Sequence, residues 1–551
     1  MLRQPCITQL NRTVSVAEGI FAPGHLGELT QHVPFELVDA VLEETGAVQR
    51  RLRDLPSRVG VYFLLALGLF PNLGYAKVWG TMVAGLTGME VPAPSEKALR
   101  DLRRRVGAAP MKALFDVLAG PLSQPSTPGT RYRRLRTVAF DGCASLRTPD
   151  AERNRSWLGK PKHRLAWTGY PTVMLMALVE TGTRGLLGAV FGPTATGETT
   201  YASRLLDRLS PDMLLLADRA FDGNDFLAAV FGTGAQFLVR IRSGRRPLVL
   251  APLPDGSYLT RIAGLKLRVI DADITLATAD NHRIQDRYRL LTTLLDHRTD
   301  PAERLVSLYH ERWEIESAFF SLRHTLLTGR VLRSADPVGL EQELWALLTL
   351  YQALRTAMVA AVESRPHTDP DRACFTTALQ AARDLVVCAR GAVPATGMDL
   401  VGEIGRAVLA DLLPPRRART SARRVKSPHS RYHHRLADDR PLTSQNITSL
   451  VISVHEAGSA PAPQPARHRR CWNRDSVAPL ADGAWPTTPG GRRDEVLAIL
   501  RTDPERAWPG RELAQRLGVT KLNSFGVQLS QWARQGLIRK VGRALYTLTA
   551  A

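Results

Sequence analysis

The sequence predicts a multidomain α/β protein. A mixed sheet-and-helix core with a β-rich insertion is preceded by an all-helical domain and followed by a small C-terminal domain of winged-helix pattern. Three observations carry this reading. With 551 residues, 44% of them hydrophobic and 23% charged, the chain can bury more than one core. Near Arg136 the texture changes from helical periodicity to short apolar runs bounded by Gly, Thr and Pro. A Pro-, Ala- and Gly-rich stretch over 456–490 then sets a last group of periodic segments apart.

Taken in order, residues 1–20 read as a disordered tail with no apolar stretch or cleavage site to address the chain for export. Residues 21–125 read as a helical N-terminal DNA-binding domain. In it Pro34 to Thr45, Pro56 to Phe70, Tyr75 to Leu86 and Ser95 to Val106 each start near a Pro, Gly or Ser and keep apolar residues at helical spacing. The strongly apolar run from Val59 to Phe70 is well short of the roughly 20 residues a membrane span needs and reads as a core helix. Arg50, Arg51, Arg53 and Arg58 cluster at one helix junction, and Arg100, Arg103, Arg104 and Arg105 at another, where phosphate contacts would be easy.

Over 130–360 the runs TVAFDG, PTVMLMALVET, GLLGAVFG, DMLLLADRAF and AQFLVRIRSG read as strands. GETTYASRLLDRLS and GNDFLAAVFGTG read as the helices before and after the fourth strand. Three strands, a helix, a strand, a helix and a strand is the order of a ribonuclease-H-like core. The insertion, about 242–295, alternates short segments around a Pro-Asp-Gly-Ser turn and predicts hairpins. Pro301 to Leu327 is strongly helical, and the amphipathic GLEQELWALLTLYQALRTAMVAAVES after it closes the core against the sheet. Residues 361–455 form a helical and basic arm region, mobile where Arg, Lys and His crowd over 414–435. After the 456–490 linker, residues 491–551 give three helical patterns and the terminal strand RALYTLTA, the order of a winged helix-turn-helix.

The formal net charge of +21 favours a polyanionic partner, nucleic acid first. Five scattered cysteines without Cys-x-x-Cys spacing suggest neither a zinc knuckle nor a disulfide framework, and the expected location is a reducing cytosol, at the nucleoid. Adjacent His433 and His434 read as solvated residues of the basic arm, and Cys143 as a small buried filler.

The chemistry is carried by carboxylates. Asp141 ends the predicted strand TVAFDG and Asp218 ends DMLLLA, so both emerge at strand ends if those strands are neighbours. Such a pair suits hard, oxygen-seeking ions, Mg²⁺ or Mn²⁺. In LYHERWEIESAFFSLRHTL, Tyr309, Glu316 and Arg323 are seven apart and Arg312 lies four before Glu316, so a regular helix puts all four on one face. Trp313, Phe319 and Phe320 are left for the core.

These residues resemble the DDE transposases of the insertion sequence 4 family, whose third carboxylate lies in Tyr-x2-Arg-x3-Glu-x6-Lys. Tyr309, Arg312 and Glu316 match, and Arg323 stands where the family has Lys. Asp141 matches the first aspartate after a strand, and Asp218-Arg219-x-Phe221 the motif around the second. The resemblance covers roughly residues 20–440. It implies Asp141, Asp218 and Glu316 as catalytic metal ligands for two ions, and Tyr309, Arg312, Arg323 and Arg219 as DNA phosphate contacts. It also implies cut-and-paste transposition on terminal inverted repeats and target DNA, within a homodimeric paired-end complex. In relatives a Trp of the insertion stacks on a flipped base. No Trp lies between 168 and 312 here, which leaves Tyr258 or Tyr288 for that role. The same carboxylates would serve a nuclease that cleaves without joining, and the basic arm with the C-terminal domain would serve a DNA-binding regulator without catalysis.

Overall fold

The computed structural model describes residues 24–49, 55–87, 91–160, 169–242, 244–278, 283–392, 401–415, 419–420, 445–457, 492–504, 506–519, 525–526, 529–530, 532–533, 537–542 and 544–548. The chain divides into two compact units, Met1–Gln464 and Pro465–Ala551. The 1–20 tail, Arg50, Arg51, Arg53, His433, His434 and almost all of the basic arm and linker lie outside the described residues.

The first unit opens with α1 (Phe35–Glu44), α2 (Ser57–Leu69), α3 (Tyr75–Val83), α4 (Glu96–Val106) and α5 (Ala109–Leu118). Pro34 and Pro56 stand at the N-caps of α1 and α2, and Ser95 Oγ caps α4 by accepting the Ala98 N–H. The apolar run is α2, buried over most of its length. α5, which no expectation covered, packs on a later helix of the core, so these helices share one hydrophobic cluster with the sheet. The arginine clusters behave differently from the expected phosphate contacts. Arg103 is buried and donates to Gln342, the Tyr75 hydroxyl and the Gly339 carbonyl, Arg58 pairs with Asp39, and Arg105 donates to the Leu55 carbonyl. Arg104 remains exposed, 3.5 Å from Asp101.

The core follows as β1 (Arg131–Tyr132), β2 (Leu135–Arg147), α6 (Glu152–Leu158), β3 (Thr172–Glu180), β4 (Leu186–Pro193), α7 (Glu198–Ser203), β5 (Met213–Ala217), α8 (Asn224–Gly232) and β6 (Gln236–Arg240). Their sheet order is β4-β3-β2-β5-β6. β2 pairs antiparallel with β3 but parallel with β5, and β5 is parallel to β6. That is the predicted order of strands and helices, with the short β1 added before it and α6 added between β2 and β3. Alternation along the strands sorts side chains to two faces. Val138, Phe140, Leu215 and Phe237 join one core with residues of α7 and α8, while Ala139, Cys143, Leu214 and Leu216 join the other. Cys143 is buried, as expected of a filler.

The insertion is β7 (Ala251–Pro252), β8 (Tyr258–Ile262), β9 (Leu265–Thr278) and β10 (Arg283–Thr292), and β10 pairs with β6 so that one sheet continues through it. Tyr258 and Tyr288 are both buried there, so neither presents a ring for stacking on a base. Next come α9 (Ala302–Leu308), a 3-10 stretch Tyr309–Trp313, α10 (Glu314–Phe320), a π-helical stretch Ser321–Leu326, and α11 (Pro337–Glu363). By length and composition α11 could cross a membrane, but 89% of its apolar window is buried inside the protein. α12 (Phe375–Val387) and α13 (Gly402–Ala410) pack on and beside it. β11 (Arg419–Thr420) then pairs with β12 (Gln445–Val454), which adds to β9, a strand the expected arm region did not contain.

The second unit holds α14 (Arg492–Thr502), β13 (Trp508–Pro509), α15 (Gly510–Arg516), β14 (Ile538–Gly542) and β15 (Leu545–Leu548). Its three strands are ordered β13-β15-β14 around a core of Val496, Leu500, Trp508, Leu513, Leu529 and Tyr546. Much of the third helical pattern expected here lies outside the described residues.

Candidate active site

Asp141 is not the end of its strand. β2 runs on to Arg147, with an irregularity between Cys143 and Leu146. Asp218 does follow the last residue of β5. Because β2 and β5 are parallel with Ala139 opposite Leu216, continuing that register brings Asp141 opposite Asp218. By alternation both point to the face of Ala139 and Leu216, the face covered by Tyr309, Ile315 and Ala318. α10 packs on β2, and the 3-10 stretch packs on β5. Both aspartates are half-buried, and each gives one oxygen to a backbone N–H 2.8 Å away, Asp141 to Gly142 and Asp218 to Ala220.

The segment carrying Tyr309, Arg312, Glu316 and Arg323 is not one regular helix. Its first turn is 3-10 and its last π, so the seven-residue spacing does not put all four on one face. A 3-10 turn adds roughly 20° per residue over an α-helix, which rotates Tyr309 and Arg312 inward relative to Glu316. Tyr309 is buried, its hydroxyl donates to the Ala217 carbonyl at 3.1 Å, and burial pushes its pKa up. It thereby ties the helix to the strand that ends in Asp218. Arg312 is also buried, its guanidinium 4.6 Å from the Trp313 ring centroid and its Nε without a hydrogen-bond partner. Burial would lower its pKa, but the electrostatic influence of Tyr309 and of the carboxylates Asp141, Asp218 and Glu316 outweighs this and holds it above the ordinary value. One guanidinium thus senses all three carboxylates.

Glu316 is half-buried. Two residues before it Glu314 turns inward and accepts from Arg184 Nε at 2.6 Å, and Arg184 also pairs with Asp371. Arg184 sits buried between β3 and β4 with φ of 62°, a conformation L residues adopt only under constraint. Nothing in the local pattern singles out this trio, since Arg184, Glu314 and Asp371 are far apart in sequence. Arg323 is half-buried on the π-helical stretch, its Nη2 3.1 Å from His324 Nε2, and Arg219 is exposed beside Asp218. Of the three aromatics left for the core, Phe319 is buried and Trp313 partly so, but Phe320 is 60% exposed, because the core-facing positions of α10 are already filled by Ile315, Ala318 and Phe319.

Two family descriptions match this arrangement, "Insertion element 4 transposase N-terminal" over residues 23–116 and "Transposase DDE domain" over 136–352, between them more than half the chain. The chain belongs to the insertion element 4 family of DDE transposases. A relative from Escherichia coli (strain K12), "Transposase InsG for insertion sequence element IS4", is 25% identical over 409 residues, 73% of this chain and 92% of its own length. A solved structure, "Cryo-EM structure of piggyBac transposase synaptic complex with hairpin DNA (SNHP)", aligns over 69% of this chain and 83% of its own. At 10% identity and a TM-score of 0.35 that likeness carries no argument. The DDE domain gives the transposase a ribonuclease-H-like core, DNA transposition as its activity, DNA as its partner and a divalent metal ion in its chemistry.

The residues fit such an ion in type. Three half-buried carboxylates are hard oxygen donors, and no Cys or His competes among them. They are not closed into a cage. Among the described residues no three His, Cys, Asp or Glu side chains stand close enough to hold one ion as they are.

Proposed function

We propose that this transposase cuts and joins DNA at the ends of an insertion sequence by cut-and-paste transposition, with Asp141, Asp218 and Glu316 as its metal ligands. The observation that carries the reading is the parallel β2–β5 register, which continued two residues brings Asp141 opposite Asp218, together with the electrostatic influence of Asp141, Asp218 and Glu316 on the one buried Arg312. Asp141, Asp218 and Glu316 would hold Mg²⁺ or Mn²⁺ as hard oxygen donors, two ions where both are bound. When bound, divalent ions supply the Lewis acidity on which phosphoryl transfer depends.

The chain's own residues bind and orient. Arg312, buried with an unpartnered Nε, is placed to take a phosphate next to the cut, and Arg323 and Arg219 to hold flanking phosphates. Tyr309 acts through the Ala217 carbonyl, fixing where β5 delivers Asp218, in place of a direct backbone contact. The second unit supports a winged-helix-like DNA-binding role by its element order, and the working form is a homodimer on two inverted repeats, in the bacterial cytoplasm.

Asp141→Asn, Asp218→Asn and Glu316→Gln test this on donor DNA carrying the element's own ends. Binding is expected to persist while Mg²⁺- or Mn²⁺-dependent cutting falls at least roughly a hundredfold. Undiminished cutting by Glu316→Gln sinks the assignment, and cutting without joining of a 3′-hydroxyl end to target DNA assigns a nuclease.

A further inference from the structure

We propose that Glu198 is a fourth carboxylate of the metal site, reaching the ion at Asp141 from the other face of the sheet. The proposal rests on the reading that Asp141 is a metal ligand. Glu198 is the first residue of α7, and α7 packs on β2, which carries Asp141, and on the short turn Arg219–Phe221 that follows Asp218. One helix thus touches both aspartate-bearing segments. The Glu198 carboxylate lies over Gly142, with Oε1 2.9 Å and Cδ 3.1 Å from where a Cβ would stand on that glycine. Gly142 follows Asp141 in the chain and donates its N–H to Asp141 Oδ1 at 2.8 Å. Two acidic groups therefore meet at one glycine, Asp141 at its N–H and Glu198 over its Cα.

By alternation Gly142 faces the side of Phe140, so Glu198 comes to β2 from the face opposite to that of α10 and Glu316. The sheet is open at this level. Pairing of β2 with β5 ends at Ala139 opposite Leu216, and beyond it no strand pairing separates Gly142 from Asp218, so groups from either face reach the same gap. The first turn of a helix favours an acidic residue, but that preference is met in solvent and does not call for a glycine at 142. A carboxylate is also a poor filler for the space over a glycine, because an apolar side chain would occupy it with no charge to desolvate. Setting two carboxylates against one peptide unit costs repulsion that a cation removes. A divalent ion that takes carboxylate and water oxygens is the partner this chemistry selects.

The test measures Mn²⁺ binding to the full-length protein by electron paramagnetic resonance, beside melting curves recorded without metal. Glu198→Gln keeps the shape of the side chain and is expected to leave the metal-free melting temperature in place while weakening Mn²⁺ binding roughly tenfold. Gly142→Ala, which pushes the carboxylate away, should weaken it similarly. In both variants the Mg²⁺ concentration for half-maximal cutting should rise while DNA affinity holds. Unchanged Mn²⁺ binding in Glu198→Gln, with binding lost in Asp141→Asn, overturns the proposal and leaves the carboxylate assignment standing. A lowered metal-free melting temperature with unchanged Mn²⁺ binding marks Glu198 as a structural filler and overturns it as well. If Asp141→Asn binds Mn²⁺ as the parent protein does, the assignment fails and the proposal falls with it.

Discussion

Side chains with the same sequence signal end up in different work. Asp141 and Asp218 were legible as strand-associated carboxylates because an apolar strand followed by Asp is a local pattern, and continuing the parallel register of their strands brings them opposite one another. Tyr309 and Arg312 were legible as members of a motif but not as buried groups, since burial depends on the sheet brought against them. Tyr309→Phe is expected to cost about 1 kcal/mol of stability by leaving the Ala217 carbonyl unpaired. Urea denaturation measures it, and cutting should fall with DNA affinity unchanged. Arg312→Lys keeps the charge but not the forked donor, so it should weaken cutting roughly tenfold or more at unchanged fold, read in a single-turnover assay.

At the scale of elements the informative unit is the 3-10, α and π run from Tyr309 to Leu326. Three helical pitches in succession let one segment bury Tyr309, half-expose Glu316 and expose Phe320, which uniform periodicity cannot do. The run is anchored by Glu314 on Arg184, with Asp371 as the second partner. Arg184→Met removes the guanidinium shared by two buried carboxylates and should destabilise the first unit by about 3–5 kcal/mol, measured by denaturant midpoint. Replacing all three by apolar residues of similar volume should recover much of that loss. If the single change costs under about 1 kcal/mol, the network is not what holds α10.

The whole molecule adds charge and a shared core. With a formal net charge of +21, DNA affinity should fall linearly as log K against log salt, and Lys or Arg changes on the DNA face should each reduce the slope by about 1. His25, buried with Nδ1 accepting the Gly27 N–H at 3.1 Å, has its pKa held below 6.5 by burial. The unfolded chain therefore takes up this proton first on acidification. Its contribution to stability is whole above about pH 6.5 and declines as the pH falls from there toward the lowered folded-state value. Melting curves between about pH 7 and pH 5 should show the decline, and His25→Asn, which keeps an acceptor without a titrating ring, should lessen it, the remainder coming from His32 and His310, also held low by burial. A pH response unaltered by that change would remove His25 from the account.

By itself the sequence determined most of the order of strands and helices around the sheet, the apolar α2 and α11, the hairpins of the insertion and which carboxylates are candidates for the site. Periodicity, turn chemistry and charge act over a few neighbouring residues, and a linear reading captures them. Only the tertiary structure decided that Arg103 is buried under α11's Gln342 instead of facing DNA, and that Tyr258 and Tyr288 are packed away. It also decided that Tyr309 holds a strand end, that β12 joins the insertion sheet, and that Phe320 stays in solvent. Each of these outcomes depends on which distant segment arrives to cover or pair a residue, and that partner is not written within a few positions of it.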